Sequence, residues 1–230
     1  MRHIRRNERG QLTIGGHIAV DLAERFGTPL YVYSGDGLVA HYAAFASAVS
    51  ELDCVVHYAV KANSSIGVLG LLAQQGAGAD IVSGGEMKRA LIAGIAPDKI
   101  VFSGVGKTDD EIRDALQAGI AQINAESATE LRHISQIAAE TERQARVALR
   151  VNVNVDPGSH AKISTGQRST KFGIPVADGE AAMLYRQLCS DPNLIPRGLA
   201  VHIGSQLRKL DPFERSYKEL LALADMLRAE

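Results

Sequence analysis

The sequence predicts an α/β fold, an incomplete (β/α)8 barrel of the TIM type in which about six of the eight strands are present. Short β-branched apolar runs alternate with amphipathic helical stretches, as in repeated βα units. The first four runs recur about every 22 residues, close to the shortest period that holds a strand, a helix and two loops. No GxGxxG follows the first run, which favours a barrel over an open doubly wound sheet.

The first part of the chain does not follow the repeated βα pattern. Residues 11–14 and 30–33 are predicted strands, and residues 18–26 form a predicted helix between them. We therefore divide the chain into an N-terminal segment, residues 1–36, that lies outside the barrel wall, and a partial barrel over residues 37–230.

The barrel elements follow in strict alternation. The six predicted strands are residues 55–60, 79–82, 100–103, 121–124, 147–151 and 199–203. The predicted helices are residues 65–75, 85–93, 108–117, 127–143, 178–189 and 212–230. Thr108 with Glu111, and Ser127 with Glu130, have the spacing of a capping box. Helices are expected to stop at Gly76, Gly94 and Gly119.

Composition excludes several function classes. The 25 Lys and Arg residues nearly balance 26 Asp and Glu, so no net field would attract nucleic acid or an anionic membrane. No apolar run reaches the roughly 18 to 20 residues of a membrane span. The two cysteines, Cys54 and Cys189, lie far apart and form no metal-ligand pattern, so we expect no metal site, a packed thiol at Cys54 and a cytoplasmic protein.

In barrels the active site forms at the carboxyl ends of the strands. Lys61 follows the first run, where partial desolvation would free its amine for a Schiff base; the alternative is a rim lysine whose ammonium reaches water. His202, Gly204 and Ser205 follow the sixth run and suit a planar ring and phosphate oxygens, although a satisfied histidine beside an ordinary turn is the alternative.

Other polar residues near the strand ends leave two interpretations open. Asp80 and Arg150 could serve a site or be halves of buried ion pairs, and Asn124 is expected to cap the next helix. His57 is expected in the core. Residues 83–86 could bind phosphate or merely begin a helix, and the polar, glycine-containing segment 156–173 is expected to be a functional loop.

Together these segments carry a family resemblance. YAVKAN, GADIVSGGE, FSGVGKT, INAES, LRVN, HAKISTG with KFGI, and HIGSQ occur in this order. With GTPLYVYS near the start, the chain closely resembles the diaminopimelate decarboxylases, which are fold-type III pyridoxal-phosphate enzymes with an alanine racemase-like barrel. KISTG and KFGI narrow the resemblance to this branch.

The resemblance implies pyridoxal 5′-phosphate as cofactor. Lys61 would form the Schiff base, His202 would stack on the ring, Ser205 would contact the phosphate, and Asp80 and Arg150 would line the pocket. Gly204 is also assigned to cofactor binding. It further implies decarboxylation of meso-2,6-diaminopimelate to L-lysine and CO2, the last step of lysine biosynthesis, in a homodimer.

Two departures qualify the resemblance. The family's RVNPDVD reads RVNVNVD in this chain, so a proline and an acid are replaced. The family continues with a glycine-rich phosphate loop, an EPGR-type segment and a C-terminal β domain with a CESxD motif, none of which occurs in these 230 residues. We therefore expect a fragment that is inactive alone, whose N-terminal segment would join that β domain.

Two alternative functions remain on the same scaffold. An ornithine or arginine-type decarboxylase would share the cofactor motifs but differ in substrate. A non-catalytic pyridoxal-phosphate-binding barrel is a second alternative, although such a protein must fit eight strands into about this length, whereas this chain has six predicted strands.

Overall fold

The computed structural model describes residues 3–155, 172–205 and 207–229. The chain begins with a small antiparallel sheet of β1 (Ile4–Arg6), β2 (Leu12–Ile14) and β3 (His17–Ile18). Two helices, α1 (Ala19–Phe26) and α2 (Gly35–Ala48), lead from this sheet to the parallel sheet.

Six parallel strands form the main sheet: β4 (His57–Ala59), β5 (Gly78–Ile81), β6 (Ile100–Phe102), β7 (Gln122–Ala125), β8 (Ala145–Asn152) and β10 (Leu194–Ala200). A two-residue strand, β9 (Ile174–Pro175), pairs with the end of β8. The helices that follow the strands are α3 (Ile66–Gln74), α4 (Gly84–Ile92), α5 (Asp109–Ala118), α6 (Ala128–Glu140), α7 (Glu180–Ser190) and α8 (Asp211–Arg228). Every predicted barrel strand and helix is present.

The strand order matches the barrel prediction. Each of β5, β6, β7 and β8 pairs in parallel with the strand before it, and β10 pairs with β8. A doubly wound sheet instead reverses its strand order at a switch point. The described sheet has no such reversal. Because its six strands are parallel, their carboxyl ends all lie along one rim.

Alternation along the strands separates the core from the rim. Ile100 and Phe102 on β6 are fully buried in the main hydrophobic cluster, which also contains apolar residues of the helices. Val101, on the other face of the same strand, and Ser103, directly after its end, line a cavity. Because side chains of a strand point alternately to opposite faces, one short run supplies both the packing against helices and the wall of a site.

Three expectations about the elements were wrong. Residues 30–33 alternate like a strand, but they pair with no strand among the described residues, and Tyr31 is 87% exposed. Helix α2 was not predicted, because two glycines in its first turn disfavour a helix. Its start is nevertheless capped, since Ser34 Oγ accepts a 3.2 Å hydrogen bond from Gly37 N. The last strand starts earlier than expected, at Leu194.

The predicted helix ends differ in one informative respect. Gly76, Gly94 and Gly119 have positive φ at helix ends, as expected. Thr108 and Glu111 form the complete capping box. Ser127 caps α6 but the box is incomplete, because the Glu130 carboxylate accepts from Glu126 N at 2.7 Å instead of bonding back to Ser127.

The complete capping box gives a stability prediction. Thr108→Ala removes the oxygen that accepts from Glu111 N at 3.3 Å, so we expect a loss of about 1 kcal/mol in the free energy of unfolding. The control is Thr129→Ala in the first turn of α6, where no backbone cap is lost and the change should stay within about 0.5 kcal/mol. Urea denaturation measures both, and equal stabilities of the two variants would contradict the role of the cap.

Candidate functional site

A cavity of about 720 Å³ opens at the carboxyl ends of the parallel strands. Five predicted site residues line it: Lys61, Asp80, Arg150, His202 and Ser205. Gly204 lies between two of them in the chain but is not part of the lining. Residues separated by more than a hundred positions thus meet at one rim, as the barrel prediction requires.

Lys61 lies in a single 3-10 turn, Val60–Ala62, directly after β4. Val60 is fully buried and anchors this turn in the core. Lys61 itself is exposed at the cavity, so the partial burial expected from its strand-end position is wrong for the described chain. The turn interrupts the strand one residue before the lysine, which directs the chain out of the sheet.

Asp80 lies at the head of a chain of hydrogen bonds across three strands. Its Oδ1 accepts from Ser103 Oγ at 2.5 Å, and that hydroxyl accepts from Asn124 Nδ2 at 3.0 Å. Gln122 Nε2 in turn donates to Asn124 Oδ1 at 2.7 Å. Asn124 was expected to cap a helix, which is wrong: its side chain bonds to Ser103 and Gln122, it lines the cavity, and Ser127 caps the next helix.

Arg150 satisfies both interpretations left open by the sequence. Its Nη1 donates to Glu126 Oε1 at 2.7 Å, and the Arg150 and Glu126 side chains are 11% and 2% exposed. Its guanidinium carbon also lies 5.1 Å from the centre of the Phe172 ring. Arg150 is therefore half of a buried ion pair and a wall of the cavity.

Some of the residues at this rim were missed or misassigned. Ser103 could have been found, since it follows a strand directly in FSGVGK, whereas Glu126 and Phe172 carry no local signal. Residues 83–86 form the start of α4. Ser83 Oγ accepts a hydrogen bond from Glu86 N, and Gly84 N donates to Glu111 Oε1 at 2.8 Å. Residues 156–171 of the expected functional loop lie outside the described residues.

Two smaller expectations also change. His57 was expected in the core, but it is half-buried and lines the cavity, because it lies on the inward face at the start of β4. Cys54 was expected to be packed, but it is exposed in the turn between α2 and β4.

Among the described residues, no group of three or more His, Cys, Asp or Glu side chains is placed to hold a metal ion. No helix in the described part is long and apolar enough to cross a membrane.

The environment of His202 favours a neutral imidazole. Burial lowers the pKa of His202 from its ordinary value, and the positive charges of Arg150 and Lys61 lower it further. The Asp80 carboxylate acts in the opposite direction. A neutral imidazole retains a flat, uncharged face toward the cavity.

The lowered pKa predicts a loss of stability in acid. Because the folded pKa of His202 is lowered, the unfolded chain takes up a proton at this residue at higher pH than the folded chain does. The stability that His202 contributes is therefore fully present above the unfolded pKa, and it is lost as the pH falls from there toward the folded pKa. We expect wild type to lose more free energy of unfolding between about pH 7 and 5 than His202→Gln does. Urea denaturation at the two pH values measures this, and equal losses would contradict it.

Comparisons with known proteins agree with this geometry. Residues 36–230 match the family described as "Pyridoxal-dependent decarboxylase, pyridoxal binding domain". The chain belongs to this family. A diaminopimelate decarboxylase of Pseudomonas fluorescens is 50% identical over 219 residues, covering 95% of this chain and 52% of that protein. A Vibrio cholerae diaminopimelate decarboxylase is 48% identical and is covered to 53%.

A solved structure of a related enzyme has the same fold as this chain. Diaminopimelate decarboxylase from M. jannaschii, in co-complex with L-lysine, superposes with a TM-score of 0.91 at 37% identity, covering 98% of this chain and 53% of that one. The family resemblance, the barrel fold and pyridoxal 5′-phosphate as the family's cofactor are confirmed. The chain spans about half the length of the curated relatives it matches.

The residues present fit this cofactor. The cavity offers an amine, an imidazole, a hydroxyl, a carboxylate and a guanidinium around one space of about 720 Å³, which lies within the range of small-molecule sites. Lys61 is exposed and carries the amine that would form the bond to the cofactor's carbonyl group.

Proposed function

We propose that this chain supplies the pyridoxal-binding part of a diaminopimelate decarboxylase, which converts meso-2,6-diaminopimelate to L-lysine and CO2. The observation that carries the proposal is the convergence of Lys61, Asp80, Arg150, His202 and Ser205 on one cavity at the strand ends. Two observations support the choice of substrate. Relatives with 48–50% sequence identity are named diaminopimelate decarboxylases, and a related structure contains L-lysine.

Each residue has a distinct task in this proposal. Lys61 is the point of covalent attachment, His202 stacks on the ring, and Ser205 with Gly204 binds the phosphate. Pyridoxal 5′-phosphate supplies an electron sink for the pair left behind when a carboxylate departs as CO2. The protein contributes position, because Ser103 holds Asp80 through its hydroxyl and Glu126 holds Arg150 through an ion pair.

We extend the proposal to the organisation of the protein. Residues 1–36 associate with a β domain, residues 37–230 form the cofactor-binding barrel, and the protein acts as a cytoplasmic homodimer. Exposed apolar side chains on the N-terminal segment support the first point, among them Val20, Phe26 and Tyr31.

The test is a substrate assay on the natural protein that contains these 230 residues. Purified protein with pyridoxal 5′-phosphate is offered meso-2,6-diaminopimelate, ornithine, arginine and lysine, and released CO2 and amine are measured. We expect L-lysine from meso-2,6-diaminopimelate at a rate far above any other release. Preferred turnover of ornithine or arginine would replace the substrate, and cofactor binding without any CO2 would favour a non-catalytic binder.

A further inference from the structure

Four charged side chains form a buried array behind the cavity. Their exposed fractions are 1% for Lys107, 2% for Glu126, 16% for Glu130 and 11% for Arg150. Two positive and two negative groups balance each other. The cavity wall includes Arg150 but none of the other three, so most of the array lies behind the site and not in it.

Lys107 connects its own loop, which follows β6, to strand β7 and helix α6. Its Nζ donates to Gly104 O at 2.6 Å, to Asn124 O at 2.8 Å and to Glu130 Oε1 at 2.9 Å. These three bonds use every proton of the ammonium group. Both carbonyls belong to residues that line the cavity.

Glu126 joins the same loop to Arg150. Its Oε1 accepts from Arg150 Nη1 at 2.7 Å and from Gly104 N at 3.1 Å. Gly104 is thereby held at both ends of its backbone, by Lys107 at the carbonyl and by Glu126 at the amide. Its φ of +93° is a conformation that glycine adopts readily, and a Cβ there would lie 3.4 Å from Val82 Cβ.

Stability alone gives no reason for this array. Buried ion pairs contribute little net stability, because desolvation offsets their attraction. Glu126 Oε2 is buried and has no hydrogen-bond partner among the described residues, which adds a further cost. The Glu126 carboxylate does bind the guanidinium of Arg150, a residue that lines the cavity.

We propose that Glu126 is a positioning residue for the cofactor: it orients Arg150 and fixes Gly104 at the cavity wall, with Lys107 holding the same loop from its carbonyl side. This inference rests on the proposed function for the identity of the ligand. The orientation of Arg150 itself is independent of that function and can be measured without the cofactor.

The first experiment is a double-mutant cycle on the affinity for pyridoxal 5′-phosphate, followed by the absorbance of the bound cofactor. Glu126→Gln should weaken binding about tenfold in the wild-type background and less than about twofold in an Arg150→Met background, because the partner through which it acts is gone. Glu140→Gln is the matched control, since Glu140 accepts from Arg113 at 2.8 Å in an exposed pair. Equal losses in both backgrounds would assign Glu126 a merely structural role.

The second experiment uses protein without cofactor. In the NMR spectrum, the guanidinium protons of Arg150, assigned by their loss in Arg150→Lys, should exchange slowly in wild type and in Glu140→Gln, and at least about tenfold faster in Glu126→Gln. Fast exchange in wild type would overturn the proposal even if Glu126→Gln does not fold. Slow exchange together with no cofactor binding by wild type would uphold the orientation of Arg150 and reject the proposed function.

Discussion

We expect that Lys61→Ala abolishes covalent retention of pyridoxal 5′-phosphate. The lysine lies in the 3-10 turn after β4 and lines the same cavity as the other site residues. After treatment with borohydride, mass spectrometry should show wild type carrying the cofactor's mass and the variant carrying none. Decarboxylation by the natural protein should fall at least about 10³-fold, the order of loss seen when a covalent catalyst is removed.

Lys88→Ala is the matched control for that experiment. Lys88 lies on α4, its side chain is 69% exposed, and it pairs with Asp114 at 3.3 Å on the outer surface. It should keep both the added mass and the activity. Retention of the cofactor's mass by Lys61→Ala would show that another lysine forms the bond and would remove the central assignment.

Phe102→Ala should destabilise the fold far more than truncation of an exposed phenylalanine does. Phe102 is fully buried in the main hydrophobic cluster, and its ring centre lies 5.5 Å from Lys107 Nζ. Truncation of a fully buried phenylalanine costs about 3–5 kcal/mol, from lost transfer free energy and the cavity left behind. Urea denaturation at neutral pH measures the difference.

Phe45→Ala is the comparison that separates burial from residue type. Phe45 lies on α2 and is 59% exposed, so its truncation should change the free energy of unfolding by no more than about 0.5 kcal/mol. A loss as large as that of Phe102→Ala would indicate that Phe45 is covered in solution by something outside the described residues.

Much of the barrel was predictable because periodicity is a local signal. Six apolar runs and their following helices could be identified one at a time, and the rim residues followed from the rule that sites form at strand ends. The same rule predicts Lys61 and His202 at one rim, and both line the cavity although 141 positions separate them in the chain. Alternation within each strand also accounts for Asp80 and Arg150.

The parts that failed depend on distant partners. Residues 30–33 alternate like a strand, but a strand requires a neighbour to pair with, and sequence alone does not show whether one is present. Glu126 and Lys107 form hydrogen bonds to residues about 20 positions away in the chain, and their own neighbours give no sign of these contacts. Asn124 was assigned to a helix cap because that role is local, whereas its contacts with Ser103 are not.

The strand order has a consequence for how the molecule is assembled. Ala79 pairs with Ile100 and Val101 with Gln122, so most sheet contacts join consecutive βα units. Such contacts require closure of short loops only, which lowers the entropic barrier for a parallel sheet. A nascent chain emerging from the ribosome can therefore add each unit to a surface that already exists, and growth can proceed from β4 onward without waiting for later residues.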